Sequence, residues 1–207
     1  MIAMTSSTRV YAGVEGDQRR AERRAQLIEA GLDLIGGPDG ESTISVRGVC
    51  RHAGLATRYF YESFADRDAL TVAVYDHATS RIAESTLQAV AGAPREERAL
   101  VRAGVANIVR EISEDPRLGR LVFSGPTTSV LAQRRLESAR MFVGLTTAQV
   151  VDFYELRSGA DVDLAAHFVV GGLAQILTAW LEGNLDVEAD VLVDRCTDLM
   201  LAVGTLM

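Results

Sequence analysis

Val46-Arg47-Gly48-Val49-Cys50-Arg51-His52-Ala53-Gly54-Leu55-Ala56-Thr57-Arg58-Tyr59-Phe60-Tyr61 reads as a short helix, a tight turn at Gly54 and a second short helix. Ala53 and Gly54 let the two helices approach closely, while Val49, Leu55 and Phe60 fill a miniature core between them and a preceding helix. The outward positions of the second helix are then Thr57, Arg58, Tyr59 and Tyr61, next to Arg47 and Arg51 from the first. This geometry lays the later helix in a DNA major groove while the earlier one crosses the backbone. Arg58 can reach a guanine edge or a phosphate. Thr57 and Tyr59 can donate to backbone oxygens or meet a thymine methyl, and the Tyr61 phenol suits one phosphate bond.

Outward from the motif, a helical pattern over 19–35 places Ile28, Leu32 and Ile35 on one face and Arg20, Arg23 and Arg24 near its start, where they can clamp the DNA backbone. Gly36-Gly37-Pro38 ends it, Asp39-Gly40 is a turn, and Thr43 or Ser45 caps the first motif helix. Asp66 is an N-cap for a long helix in which Leu70, Val74, Ala78 and Ile82 recur every fourth residue, up to Gly92-Ala93-Pro94. Further helices are expected over 95–114, after Pro116, and over 128–155, 162–182 and 187–206, with breaks at Gly125-Pro126, Ser158-Gly159 and Gly183-Asn184. Few stretches alternate with a period of two, so the expected fold is all-α. Its expected parts are a flexible arm over 1–18 from which Arg9 can reach DNA, a helix-turn-helix domain over 19–65, and a helical regulatory and dimerisation domain over 66–207.

An apolar share of 48% in 207 residues supports a genuine core. The net charge of -7 argues against a protein that coats nucleic acid indiscriminately, but it is unevenly spread. Residues 18–61 hold seven arginines against five acids, whereas from Glu62 onward thirteen arginines face twenty-one acids. A nucleic-acid face therefore belongs to the first third. Every Lys-or-Arg position is arginine, which fits bidentate contacts but follows equally from coding bias. Cys50 and Cys196 make neither a disulfide framework nor a four-ligand zinc site. The stretch 164–181 comes closest to a membrane span but is interrupted by His167 and Gln175, and Met1 to Ala3 is too short for the apolar part of a signal peptide. The expectation is a cytoplasmic protein with no membrane partner.

Catalysis finds little support. His52, His77 and His167 show no metal-ligand spacing, Asp194 to Asp198 around Cys196 lacks a nearby histidine base, and Glu114-Asp115 does not share a helix face. Neither a phosphate-binding glycine loop nor a nucleophile elbow occurs. The expectation is no enzyme, no catalytic or metal site and no cofactor. From the residues alone two readings stay open. One is a DNA-binding regulator. The other is an acidic helical protein that binds a small molecule or serves as a scaffold without operator recognition, its aromatics in the core and its arginines on a solvated face.

Ala53-Gly54-Leu55 followed by Phe60-Tyr61-Glu62-Ser63-Phe64-Ala65-Asp66-Arg67-Asp68-Ala69-Leu70 resembles the helix-turn-helix and the start of the fourth helix in the TetR family of bacterial transcriptional regulators. The resemblance covers residues 19–75 closely and the remainder by architecture. It implies a phosphate contact for Tyr61, another for Arg67 at the fourth helix's start, and a DNA-reading surface at Thr57, Arg58 and Tyr59, beside Arg47. Departures bear on the operator sequence more than on the binding mode: Ala56 stands where serine is common, Thr57 where lysine is, Arg58 where glycine is, and Glu62 where histidine is.

Two terminal stretches carry apolar faces broader than two isolated helices can hide, with Leu173, Leu177 and Trp180 on one and Leu192, Leu199 and Val203 on the other. Packing within a monomer core is the alternative, but faces this broad call for a partner. The resemblance implies that they form a four-helix homodimer interface, which spaces two recognition helices for a palindromic double-stranded operator. It also implies a pocket for a small organic effector among the middle helices, for which Phe123, Met141, Phe142, Leu145, Tyr154 and His167 are candidates. The function implied is that of a repressor released from its operator by that effector.

Overall fold

The computed structural model describes residues 8–37, 44–124, 129–155, 157 and 159–204, and the regular elements among them are helical. The chain divides into two compact units, residues 1–74 and 75–207, with the boundary falling inside one helix.

The first unit contains α1 (Thr8–Ile35), α2 (Val46–His52), α3 (Thr57–Tyr61) and the beginning of α4 (Arg67–Ala91). α1 starts at Thr8, so residues 8–18 are helical where an arm was expected. Residues 1–7, the Arg9 side chain, the Asp39-Gly40 turn and Thr43 lie outside the described residues. Leu27, Ile28, Leu32 and Ile35 form the buried stripe of α1, and Val49, Phe60 and Phe64 close over it. Ser45 takes extended backbone angles and its Oγ accepts from the Gly48 N–H at 3.1 Å, a cap worth about 1 kcal/mol. α3 starts at Ala56 with no side-chain cap. Between them Gly54 sits at φ +67°, a left-handed angle that a side chain disfavours, and Leu55 N–H returns to the Cys50 carbonyl at 2.9 Å. Asp66 Oδ1 caps α4 through Ala69 N–H at 2.8 Å. α4 crosses close to α1 at Gly31, where an added Cβ would come within 2.6 Å of Val74 Cγ2.

The second unit holds the rest of α4, then α5 (Glu97–Glu114), α6 (Pro116–Gly119), a π-helical turn (Arg120–Ser124), α7 (Ser129–Tyr154), α8 (Ala160–Leu181) and α9 (Ala189–Gly204). α5 packs along α9 and α7 along α8. Ion pairs Arg98–Asp198 at 2.8 Å and Arg102–Asp194 at 2.9 Å flank the α5–α9 seam. Buried Asn107 donates to Ser85 and Thr86, joining α5 to α4, and buried Glu111 accepts from Arg81 in the same seam. The Trp180 indole donates to the Val187 carbonyl at 2.9 Å across the turn into α9. Gly125-Pro126 and Ser158 lie outside the described residues.

Candidate functional site

The first unit buries one side of α3 and displays the other. Phe60 is fully buried and packs edge-on to Tyr61 and tilted against Phe64, which fixes the helix's rotation. Thr57, Arg58 and Tyr61 are consequently exposed, Tyr61 at 60%, and Arg47 and Arg51 are exposed on α2. Tyr59 is half-buried. The Arg23 guanidinium lies 4.4 Å from its ring centroid and that of Arg58 4.7 Å, and Arg58 Nη2 donates to the Tyr59 hydroxyl at 2.8 Å. Glu62, an acid expected near the DNA face, pairs with Arg23 at 3.4 Å. Arg67 is exposed and donates to Asp68 Oδ1 from Nε and Nη2 at 3.3 and 3.2 Å. The contacts of Arg23 with Tyr59 and Glu62 were not foreseen, because residues 36 and 39 positions apart give no local signal of adjacency.

The second unit contains a partly open cavity of about 280 Å³ walled by α4, α5, α7, α8, α9 and the π-helical turn. Phe123, Phe142, Leu145 and Tyr154 line it. Met141 and His167 do not: Met141 is exposed, and His167 is exposed with Nδ1 against the Asp163 carbonyl at 2.8 Å. Each points away because its cavity-facing helix carries its lining residues on the other side, one step of about 100° from Met141 to Phe142 being enough. Phe123 sits on the π-helical turn, and its carbonyl accepts from Thr178 Oγ1 at 3.1 Å. Leu100, Val101, Gly104 and Ile108 of α5 complete the apolar wall. Their three- and four-residue spacing is the sequence signal of this wall.

Polar groups in the cavity wall are few. At one end Glu97 Oε1 accepts from the Tyr154 hydroxyl, beside Gly204. Partial burial, reinforced by the neighbouring Glu97 carboxylate, pushes the Tyr154 pKa up to about 12 and keeps the phenol protonated. Thr86, Thr146 and Gln149 also reach the lumen.

The residues expected at a dimer interface fall into different environments. Leu177 and Leu192 are buried within their own chain, so they are unavailable to a partner, and Leu173 and Val203 line the cavity. Trp180 is half-buried, whereas Leu199 is 59% exposed. On α8 and α9 the large apolar side chains that are exposed, among the described residues, are Leu164, Phe168, Val191 and Leu199. Gly171 and Gly172 continue the α8 face, where an added Cβ would meet nothing within 4 Å. α8 is long and apolar enough to span a membrane by length and composition, with a mean hydropathy of 1.6, yet it packs on α7 and lines the cavity. Among the described residues no group of three or more His, Cys, Asp or Glu is arranged to hold a metal.

No family model matches the chain. Over 67 residues it is 37% identical to an uncharacterized HTH-type transcriptional regulator of Haemophilus influenzae, a match covering 32% of each protein. The chain thus spans about a third of that relative's length. Solved structures extend the likeness to most of the chain. The fatty acid degradation regulator FadR of Bacillus halodurans superposes with a TM-score of 0.74 at 17% identity, covering 86% of this chain and 94% of that one. FadR of Bacillus subtilis in complex with stearoyl-CoA gives 0.70 at 15% identity, covering 85% and 96%. A TetR-family transcriptional regulator from Streptomyces coelicolor gives 0.69 at 17% identity, covering 90% and 82%. The chain has the all-α fold of solved TetR-family regulators, an N-terminal helix-turn-helix bundle followed by a larger helical domain.

Proposed function

We propose that this chain is a transcriptional repressor that binds a palindromic DNA operator as a homodimer and leaves it when a small organic effector enters the second unit. The observation that carries the reading is α3 itself: Phe60 is fixed in the core while Thr57, Arg58 and Tyr61 face solvent beside Arg47. The 67-residue match to an uncharacterized HTH-type transcriptional regulator of Haemophilus influenzae supports a role in transcriptional regulation. Dimerisation is supported by the outward face of Leu164, Phe168, Val191 and Leu199, which is a two-fold docking surface on this reading. The Asp161 and Asp163 carboxylates and His167 on exposed positions of α8 favour a protein partner over lipid.

Release requires the effector to prefer the conformation that does not bind DNA, and a coupling of about 3 kcal/mol reduces operator affinity roughly 150-fold. α4 is the element suited to carry it, since Leu70 and Val74 belong to the core of the first unit and Ile82, Thr86 and Val90 to the cavity wall. The test is a screen of small organic molecules by thermal shift, followed by operator titration with each binder. Binders that weaken DNA affinity support the reading. A protein that binds ligands but no DNA would instead be the ligand-binding helical protein left open by its sequence.

A further inference from the structure

The lining of the cavity has one electrostatic sign. Among the described residues that line it, Glu97 is the only charged one, with no arginine or histidine. The arginines closest in sequence are committed elsewhere: Arg98 pairs with Asp198 at 2.8 Å and Arg95 with Asp152 at 3.5 Å. Glu97 Oε1 accepts from the Tyr154 hydroxyl, which holds the carboxylate in place. Around it stand aromatic rings. Phe153 and Tyr154 both line the cavity and meet edge to face with centroids 4.9 Å apart. Aromatic faces attract cations, and the half-buried Glu97 beside the 39%-exposed Tyr154 offers, at the solvent-accessible end of the cavity, a carboxylate that a hydrogen-bond-donating cation can pair with. A ligand carboxylate or phosphate here would meet Glu97 with no counter-cation in the lining, and burying an unpaired anion is expensive.

We infer that the cavity selects amphiphilic organic cations, with a protonated amine seated against Glu97 and the Phe153–Tyr154 rings and an apolar body extending along Leu100, Val101 and Leu145. The inference rests on the reading of this cavity as the effector site and adds the chemical class of the effector. The phenol strengthens the choice, since Tyr154 remains a donor to Glu97 throughout the physiological range.

Three probes of matched length separate head group from apolar body: n-octylammonium, n-octanoate and n-octanol, each titrated calorimetrically into the intact chain at neutral pH. Octylammonium is expected to bind about tenfold or more tightly than octanoate. Glu97→Gln should remove that preference and change octanol affinity far less than octylammonium affinity, and Glu97→Lys should transfer the preference to octanoate. Tyr154→Phe should lower amine affinity less than Glu97→Gln does, because the carboxylate stays. Melting curves of each variant establish that it is folded. Octanoate bound as tightly as octylammonium, or an amine affinity indifferent to Glu97→Gln, would overturn the inference while leaving an apolar effector site in place. Failure of all three probes to bind would remove the effector site and the inference together.

Discussion

The Arg58 guanidinium lies 4.7 Å from the Tyr59 ring centroid and donates to the Tyr59 hydroxyl at 2.8 Å, so two residues assigned to DNA reading hold one another in the free protein. Contacting a guanine then exchanges one hydrogen-bond acceptor for others, at small net cost. Arg58→Ala should weaken binding to the preferred sequence about tenfold and weaken a mismatched sequence less, flattening specificity. Tyr59→Phe keeps the ring under Arg23 and Arg58 and should change affinity by less than about threefold. Competition titrations of the two variants against matched and mismatched duplexes check both. Equal losses on all sequences for Arg58→Ala would assign it to phosphate instead.

The close crossing of Gly31 and Val74 sets a limit on the first unit. Alanine gains about 1 kcal/mol of helix propensity over glycine, but here its Cβ would lie 2.6 Å from Val74 Cγ2, a stiff β-branched group. Overpacking of this kind costs about 1–3 kcal/mol, so Gly31→Ala should be destabilising or at best neutral. Val74→Ala in the same chain should restore the propensity gain. Urea denaturation of the two single variants and the double variant measures the coupling. Additive effects would show that the crossing relaxes freely.

Phe168 is 69% exposed, which separates folding from assembly in one substitution. Phe168→Glu should leave the helical content and the melt of the monomer essentially unchanged while shifting the sedimentation profile from dimer to monomer. Leu199→Glu, at 59% exposure, should act in the same direction. A wild type that sediments as a monomer at micromolar concentration, alone and with DNA, would contradict the dimer.

Much of this was legible in the sequence, and the rest failed for identifiable reasons. The breaks at Gly54, Gly92-Ala93-Pro94 and Gly183-Asn184 separated the helices, Ser45, one of the two expected candidates, caps α2, and Asp66 caps α4 as expected. The start of α1 was missed because its apolar positions, Val10, Tyr11 and Val14, are separated from the stripe that begins at Leu27 by a long stretch of polar and small residues. α8 is apolar around most of its circumference, so composition could not say that Leu173 and Leu177 turn inward while Leu164 and Phe168 turn out. The choice depends on where α7 and α9 pack against it, which is tertiary information. Nothing in the sequence distinguishes Glu97 from the other acids, and only the fold shows that it lines an apolar lumen.

Asp115 gives the second unit an acid limit. Hydrogen bonds from Arg117, at 2.8 and 2.7 Å, hold its carboxyl below the ordinary value of 3.8, with Arg81 adding to the effect. Because the folded pKa is depressed, the associated stability is present above 3.8 and is lost as pH falls below it through the folded value. Asp115→Asn should cost about 1–2 kcal/mol at neutral pH, and the gap from wild type should narrow by about pH 3. Denaturation at the two pH values checks it. A gap independent of pH would mean that the loss comes from packing.

The central claim is that α3 reads duplex DNA, and its most direct test is a fluorescence anisotropy titration of the intact chain against genomic fragments over a range of salt, with and without added effectors. The wild type should select particular fragments with an affinity that falls steeply as salt rises. Tyr61→Phe, which deletes one exposed hydroxyl and leaves the ring edge-on to Phe60, should weaken specific and nonspecific binding to a similar extent. Absence of sequence-preferring binding by the wild type at every salt concentration and with every effector would contradict the account.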